Sequence, residues 1–127
     1  MAKARLVTSI EDYILEEDRE LKPEEQTVFK LKYLTAVQAA ELQDTFTTNK
    51  NYAMQMLEAV KLALAGWDNL VDENDKTVAF KSAKKVDNAM EQNINRLSPS
   101  WITELGGQVL KQTFPDLVEE ESGDLKN

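Results

Sequence analysis

Acidic side chains are the residues of this sequence best suited to chemistry, and they gather in two groups. The first group lies near the N-terminus and consists of Glu16, Glu17, Asp18 and Glu20. Paired carboxylates can act as general acid and base, or bind a metal ion, where a shaped pocket holds them together. Residues this close in sequence splay around any regular element, so we interpret the group as an exposed acidic surface.

The second acidic group, Asp72-Glu73-Asn74-Asp75, has the composition of a calcium-binding loop. An EF-hand loop needs a glycine at its sixth position and a bidentate glutamate at its twelfth. Counted from Asp72, these positions hold Thr77 and Ala83. We therefore interpret the group as a solvated turn and expect no metal site.

The composition removes several catalytic classes. The 127 residues include no cysteine and no histidine, which excludes thiolate nucleophiles, Cys/His zinc sites and His-centred triads. The pair Gly106-Gly107 has no lysine at phosphate-loop spacing. The sequence therefore predicts a protein that is not an enzyme and that carries no cofactor.

The net charge of −8 is unevenly distributed. Residues 11–25 hold eight acidic residues against two basic ones, residues 26–115 hold ten of each, and residues 116–127 hold five against one. We expect no nucleic-acid binding, because no basic stripe surrounds Trp67 or Trp101. The acidic ends either aid solubility or meet a basic partner, and both interpretations stay open.

The hydropathy pattern predicts neither a membrane span nor a secretory signal. No apolar run approaches the ~20 residues that a membrane helix needs, and no apolar signal core follows the basic N-terminus. We expect a cytoplasmic protein. Residues 1–115 are predicted to form one domain with an acidic segment at residues 9–25, and residues 116–127 to form a flexible acidic tail.

Three predicted strands form the sheet. Phe29, Leu31 and Tyr33 alternate with lysines over residues 27–34, a pattern typical of a half-buried strand. Residues 67–71 and 77–81 are predicted to form a hairpin around the charged turn. The fold class is therefore α+β and mostly helical, with four to five helices and a small three-stranded, antiparallel-type sheet that includes hairpin 67–81.

The predicted helices begin at recognisable capping residues. Ser9 is expected to cap a short helix, Thr35 to cap a helix with Gln38 as its capping box, and Ser98-Pro99 to begin the last helix. Two more helices are expected over about residues 51–65 and 82–96, the first ended by Gly66 as a left-handed C-terminal residue. The glycines 106 and 107 interrupt the last helix, as a bend or as a close backbone approach.

Three motifs follow one another along the chain between the acidic ends. They are TVFKLKYLT (Thr27–Thr35), LALAGWDNLVDENDKTVAFK (Leu62–Lys81) and SPSWITELGGQVL (Ser98–Leu110). In this order they resemble the tail assembly chaperones of long-tailed bacteriophages, over roughly residues 10–117. In that family an F-K-L-K/R-x-L-T strand precedes helices and a G-W-x-N plus V-x-F hairpin. The residues that match this pattern are interpreted as fold-defining: Phe29, Leu31, Trp67, Val78 and Phe80. Gly106-Gly107 departs from the pattern.

The resemblance implies a small, non-catalytic protein of the host cytoplasm that is made during phage infection. It would bind the tape measure protein, keep it soluble and help recruit tail tube protein, and it would be missing from the mature virion. Many members of the family are also made in a longer, frameshifted form. The sequence Leu125-Lys126-Asn127 permits a slippery codon heptamer, which the gene sequence would show or exclude.

A chaperone for a long helical protein needs an adaptable apolar groove, and methionine supplies such a surface. The helix predicted over residues 51–65 is apolar on most sides, so it is either central in the core or covered by a partner, and both interpretations stay open. Our candidate partner-binding residues are Met54, Met56, Leu57 and Met90, with Met54 and Leu57 lining the groove. Charge substitutions at Met54 and Leu57 should abolish capture of the tape measure protein without changing the melting curve.

Two other function classes stay open at this stage. The chain could be a structural virion protein, such as a tail completion or head–tail joining factor, or a small regulatory protein-binding module. Self-association is also left open. Mass spectrometry of purified particles separates a chaperone from a virion component, and a gene position away from the tape measure gene would favour the regulatory module.

Overall fold

The sheet is antiparallel, with its strands in the order β1-β2-β3. The computed structural model describes residues 9–48, 51–82 and 88–115. The strands are β1 (Ile10–Ile14), β2 (Val28–Lys32) and β3 (Leu64–Asp68), and the helices are α1 (Ala36–Thr48), α2 (Tyr52–Ala63), α3 (Ala89–Ile94) and α4 (Pro99–Thr113). The predicted fold class, a mostly helical α+β protein with a three-stranded antiparallel sheet, is confirmed. The predicted tail at residues 116–127 lies outside the described residues.

Strand β2 lies at the centre of the sheet and follows the predicted alternation. Phe29 and Leu31 are fully buried and face the helices. Lys30 lies on the opposite face, where its Nζ is 3.1 Å from Asp12 of β1 and 3.4 Å from Asp68 of β3. Its hydrogen bond to Asp12 raises the pKa of Lys30. One face of the sheet is therefore core and the other carries charge.

The helix predicted to begin at Ser9 is wrong, because residues 10–14 form strand β1. The apolar spacing of Ile10, Tyr13 and Ile14 fits one face of a short helix. A helix of one or two turns is marginal without tertiary support, whereas this segment pairs with all five residues of β2, from Ile10↔Lys32 to Ile14↔Val28. Tertiary pairing outweighs the local pattern.

The predicted hairpin 67–81 is only partly confirmed, because Trp67 and Asp68 of its first arm belong to β3 whereas residues 77–81 form no strand of the sheet. The backbone pairing between its two arms is limited to one isolated bridge, Val71↔Thr77. Asn69 adopts a left-handed conformation with φ 61°, and the Asp72 carboxylate accepts the backbone N–H groups of Asn74 and Lys76. These local bonds take the place of a strand ladder.

Gly66 does not end α2 as predicted. The helix ends at Ala63, and Leu64 is already extended and belongs to β3. None of the glycines that the structure describes has a left-handed φ. Gly66 pairs with Lys30, beside a register shift between Lys30 and Leu31, and a strand glycine often accompanies such an irregularity.

The core lies between the inner face of the sheet and helices α2 and α4. A row of edge-to-face aromatic contacts joins Trp101, Phe29, Trp67 and Phe80, with ring centroids 6.0, 6.3 and 5.0 Å apart in that order. Trp67 also donates its indole N–H to the Val78 carbonyl at 2.7 Å. Both tryptophans therefore belong to the packing of the molecule.

Helix α4 is continuous through its two glycines. Of the two predicted alternatives, a bend or a close backbone approach, Gly106 is the close approach, and it is made to α2. A Cβ added to Gly106 would lie 2.9 Å from Met56 Cα, Cβ and O, whereas a Cβ on Gly107 would meet nothing within 4 Å. The start of α4 is as predicted, since Ser98 accepts the Trp101 N–H and Pro99 is the first helical residue. Gly106 thus sets how closely α4 packs on α2.

The predicted helix over residues 82–96 is described only in its last part. Helix α3 covers Ala89–Ile94, and residues 83–87 lie outside the described ranges. Ile94 and Leu97 are buried in the core.

Candidate partner-binding cleft

Three helices leave an apolar cleft of about 320 Å³ between them. Its floor and walls come from the first turns of α2, the end of α3 with the residues that follow it, and the first turns of α4. The lining residues are Ala53, Met54, Leu57, Ile94, Asn95, Leu97, Pro99, Ile102 and Thr103. We refer to this site as the apolar cleft. Its lining is apolar with a few polar groups, the usual composition of a binding pocket.

Two of the four candidate residues lie in the apolar cleft. Met54 is 39% exposed and Leu57 is partly buried, and both line it. Their positions three residues apart on α2 place them on one side of the helix. Tyr52, at the beginning of α2, is 60% exposed but does not line the apolar cleft.

The other two candidates lie elsewhere. Met56 is 1% exposed and packs against Gly106, so it is a core residue and cannot meet a partner. This corrects its place among the partner-binding candidates. Met90 is partly buried against the core and does not line the apolar cleft. The methionine surface is thus smaller than expected, and α3 and α4 supply the rest of the lining.

The acidic segment is held on the other side of α4. Glu104 Oε2 accepts the Tyr13 hydroxyl at 2.6 Å and the Glu16 backbone N–H at 2.9 Å, and Trp101 donates its indole N–H to Glu17. Leu15, between these contacts, is fully buried. The acidic segment is therefore attached to α4 by specific bonds, which the expectation of a simple exposed surface did not include.

Tyr13 has an altered acidity at this junction. Burial, followed by the hydrogen bond to Glu104 and its negative charge, raises the pKa of Tyr13 to about 12. The Arg19 guanidinium acts in the opposite direction; it lies 5.4 Å from the ring centroid and donates to the hydroxyl at 3.2 Å. The phenol is thus kept protonated, as a hydrogen-bond donor to α4.

Side-chain amides fix the loops on either side of this junction. Gln26 donates to the carbonyls of Asp18, Arg19 and Leu21 at 3.2–3.3 Å. Asn69 donates to the carbonyls of Glu24 and Gln26 at 2.8 and 3.1 Å. Residues that are far apart in sequence are thereby joined by side-chain-to-backbone hydrogen bonds.

The structure adds residues that sequence reasoning missed. Asn93 is buried and exchanges two hydrogen bonds with the Lys81 backbone, at 2.8 and 3.0 Å, which ties the chain after the turn to α3. The sequence did not indicate that Glu104 holds the acidic segment, because a single glutamate on an amphipathic helix is usually a solvent-facing residue. Ile102 and Leu97 are buried in the core, and they also line the apolar cleft.

The described part of the chain contains neither a cluster of metal-ligating side chains nor a helix that could span a membrane. Over residues 9–48, 51–82 and 88–115, no three metal-ligating side chains come together. Among the helices that cover these residues, none has the length and apolarity to cross a membrane.

Comparison with known proteins gives no match for this chain. Protein-family models, curated sequences and solved structures were each compared with the chain, and none of them matches it. The apolar cleft and the acidic segment are therefore the two features of the structure that bear on function.

Proposed function

We propose that this chain is a phage tail assembly chaperone that binds an apolar helical segment of the tape measure protein and helps recruit tail tube subunits. It acts without catalysis, in the host cytoplasm, and is absent from the mature virion. The observation that supports this proposal is the apolar cleft between three helices, which is lined in part by the exposed side chain of Met54.

The size of the apolar cleft suits a helix. An apolar cavity of about 150 Å³ holds one benzene ring, so 320 Å³ accommodates roughly two large side chains. Residues three or four apart on a helix project two such side chains from one face. A tape measure protein is a long helical chain, and its apolar stripe must stay covered before assembly.

The test is capture of the tape measure protein of the same phage in a co-expression pull-down. We expect Met54→Glu to weaken capture by on the order of tenfold or more, because it places an unpaired charge in an apolar contact. Its free energy of unfolding should change by no more than about 0.5 kcal/mol, since Met54 is partly exposed. Leu57→Glu is a less specific test, because Leu57 packs on the core and a charge there would also lower stability.

Val37→Glu is the matched control. Val37 is 68% exposed on α1 and does not line the apolar cleft, so this change of the same type should leave capture unchanged. Equal capture by both variants and the native chain would refute the proposal. Mass spectrometry of purified particles addresses the alternative, because a tail completion or head–tail joining factor would be present in them.

A further inference from the structure

We propose, building on the function above, that the segment bound in the apolar cleft is a basic amphipathic helix. Two large aliphatic side chains, one turn apart, enter the apolar cleft. Lysine or arginine side chains further along the same helix face the acidic segment of this chain. The partner segment is therefore positively charged, a property that the size of the apolar cleft alone does not specify.

The first argument is the position of the acidic segment relative to the apolar cleft. Pro99, Ile102 and Thr103 of α4 line the apolar cleft, whereas Trp101 and Glu104 hold the acidic segment. At 3.6 residues per turn, these two sets lie on opposite sides of α4. The diameter of a helix, about 10–12 Å, therefore separates the two surfaces.

The second argument is that four glutamates of the acidic segment have no ion-pair partner among the described residues. Glu16, Glu20, Glu24 and Glu25 are all exposed. In the part of the chain that the structure describes, the ion pairs involve Lys30 and Lys61, and none includes these four residues. Charges about 10 Å apart still interact at moderate salt, because the Debye length is about 8–10 Å there.

The third argument is that the acidic charge is held in place before a partner arrives. The bonds of Glu104 to Tyr13 and Glu16, and those of Gln26 to three carbonyls, fix the backbone of the acidic segment. A pre-positioned charged surface favours a partner of opposite charge and disfavours one of like charge. A partner helix about 18 residues long would measure ~27 Å and could cover both surfaces.

Two synthetic helical peptides of that length test the proposal with the full chain. Both carry the same leucine pair, and they differ in having lysines or glutamates at the flanking positions. We expect the lysine peptide to bind about tenfold more tightly in about 0.05 M salt, and this preference to shrink toward unity in about 0.5 M salt. Binding is measured by titration calorimetry, and Met54→Glu should abolish it for both peptides.

Charge variants locate the effect on the acidic segment. Glu16→Gln with Glu20→Gln should reduce the preference for the lysine peptide several-fold. Glu73→Gln with Asp75→Asn removes the same charge from the exposed turn at residues 72–76 and should leave the preference unchanged. If both double variants reduce it equally, net charge alone is responsible and the acidic segment has no special role.

The remaining outcomes separate this proposal from the function on which it rests. Equal affinity for the two peptides, lost in Met54→Glu, overturns the basic partner and leaves the apolar cleft as a docking site. No binding of either peptide, with normal capture of the tape measure protein, also overturns it. A dimer of the native chain in sedimentation, dissociated by Met54→Glu, identifies a second copy as the occupant instead.

Discussion

Gly106 is the residue at which α4 comes closest to α2. Alanine at this position would place its Cβ 2.9 Å from Met56 backbone atoms, so the helices would have to move apart. Overpacking of this kind costs about 1–3 kcal/mol, which exceeds or cancels the gain of about 1 kcal/mol from a better helix former. We expect Gly106→Ala to lower the free energy of unfolding in urea denaturation.

Gly107→Ala is the control for that substitution. The new Cβ meets no atom within 4 Å, so only the helix propensity changes, and stability should rise by up to about 1 kcal/mol. A stabilising effect of the same size at both glycines would show that α4 does not approach α2 as described.

Tyr13 should make stability depend on pH in the alkaline range. Its pKa is raised to about 12 by burial and by Glu104, whereas in the unfolded chain tyrosine ionises near 10. Between pH 10 and 12 the unfolded chain loses a proton that the folded chain keeps, so the free energy of unfolding falls as the pH rises. Tyr13→Phe should show a shallower decline in thermal unfolding over this window.

Absorbance titration gives an independent check on Tyr13. The difference between the native chain and Tyr13→Phe should be one tyrosine that ionises at about pH 12. A difference step near pH 10 would contradict the hydrogen bond between Tyr13 and Glu104.

The burial of single residues was predictable from sequence where apolar and polar residues follow one clear periodic pattern. The alternation around Phe29 and Leu31 identified both as core, and both are fully buried. Met54 and Met56 could not be assigned separately, because their helix is apolar on most sides. Only the approach of Gly106 shows that Met56 is the buried one.

Elements were predictable where a capping signal and the apolar pattern agree. Helices α1, α2 and α4 begin at or within a residue or two of where the sequence indicates. Strand β1 and the arm at 77–81 were not predictable, because both depend on what the chain pairs with elsewhere. The residues before β2 are acidic, contain Pro23 and have an apolar spacing that is compatible with either a helix or a strand.

Helix α1 is the least anchored of the long helices. Leu42 is its single buried residue, and a capping box formed by Thr35 and Gln38 fixes its start, with bonds of 3.1 and 3.0 Å. Native-state hydrogen exchange should be faster in α1 than in α2 or α4. Thr35→Ala should speed exchange in α1 selectively and cost about 1 kcal/mol. Uniform protection across the helices would contradict this ranking.

At the scale of the whole molecule, the chain divides into a packed sheet side and an open helical side. Aromatic contacts and the bonds of Glu104 join the sheet, the acidic segment and α4 into one unit. The apolar cleft remains on the other side of α4. The sequence indicated an apolar groove near Met54 and Leu57. It could not indicate the contribution of Ile94, Leu97 and Ile102, because that depends on how the helices pack.

The central claim is that the apolar cleft binds the partner, and the methionine methyl groups report on it directly. The chain has four methionines, of which Met54 lines the apolar cleft and Met56 is buried against Gly106. In methyl NMR spectra of the native chain titrated with the tape measure protein, we expect the Met54 signal to shift or broaden most. Saturable binding that leaves the Met54 signal unchanged would contradict the claim.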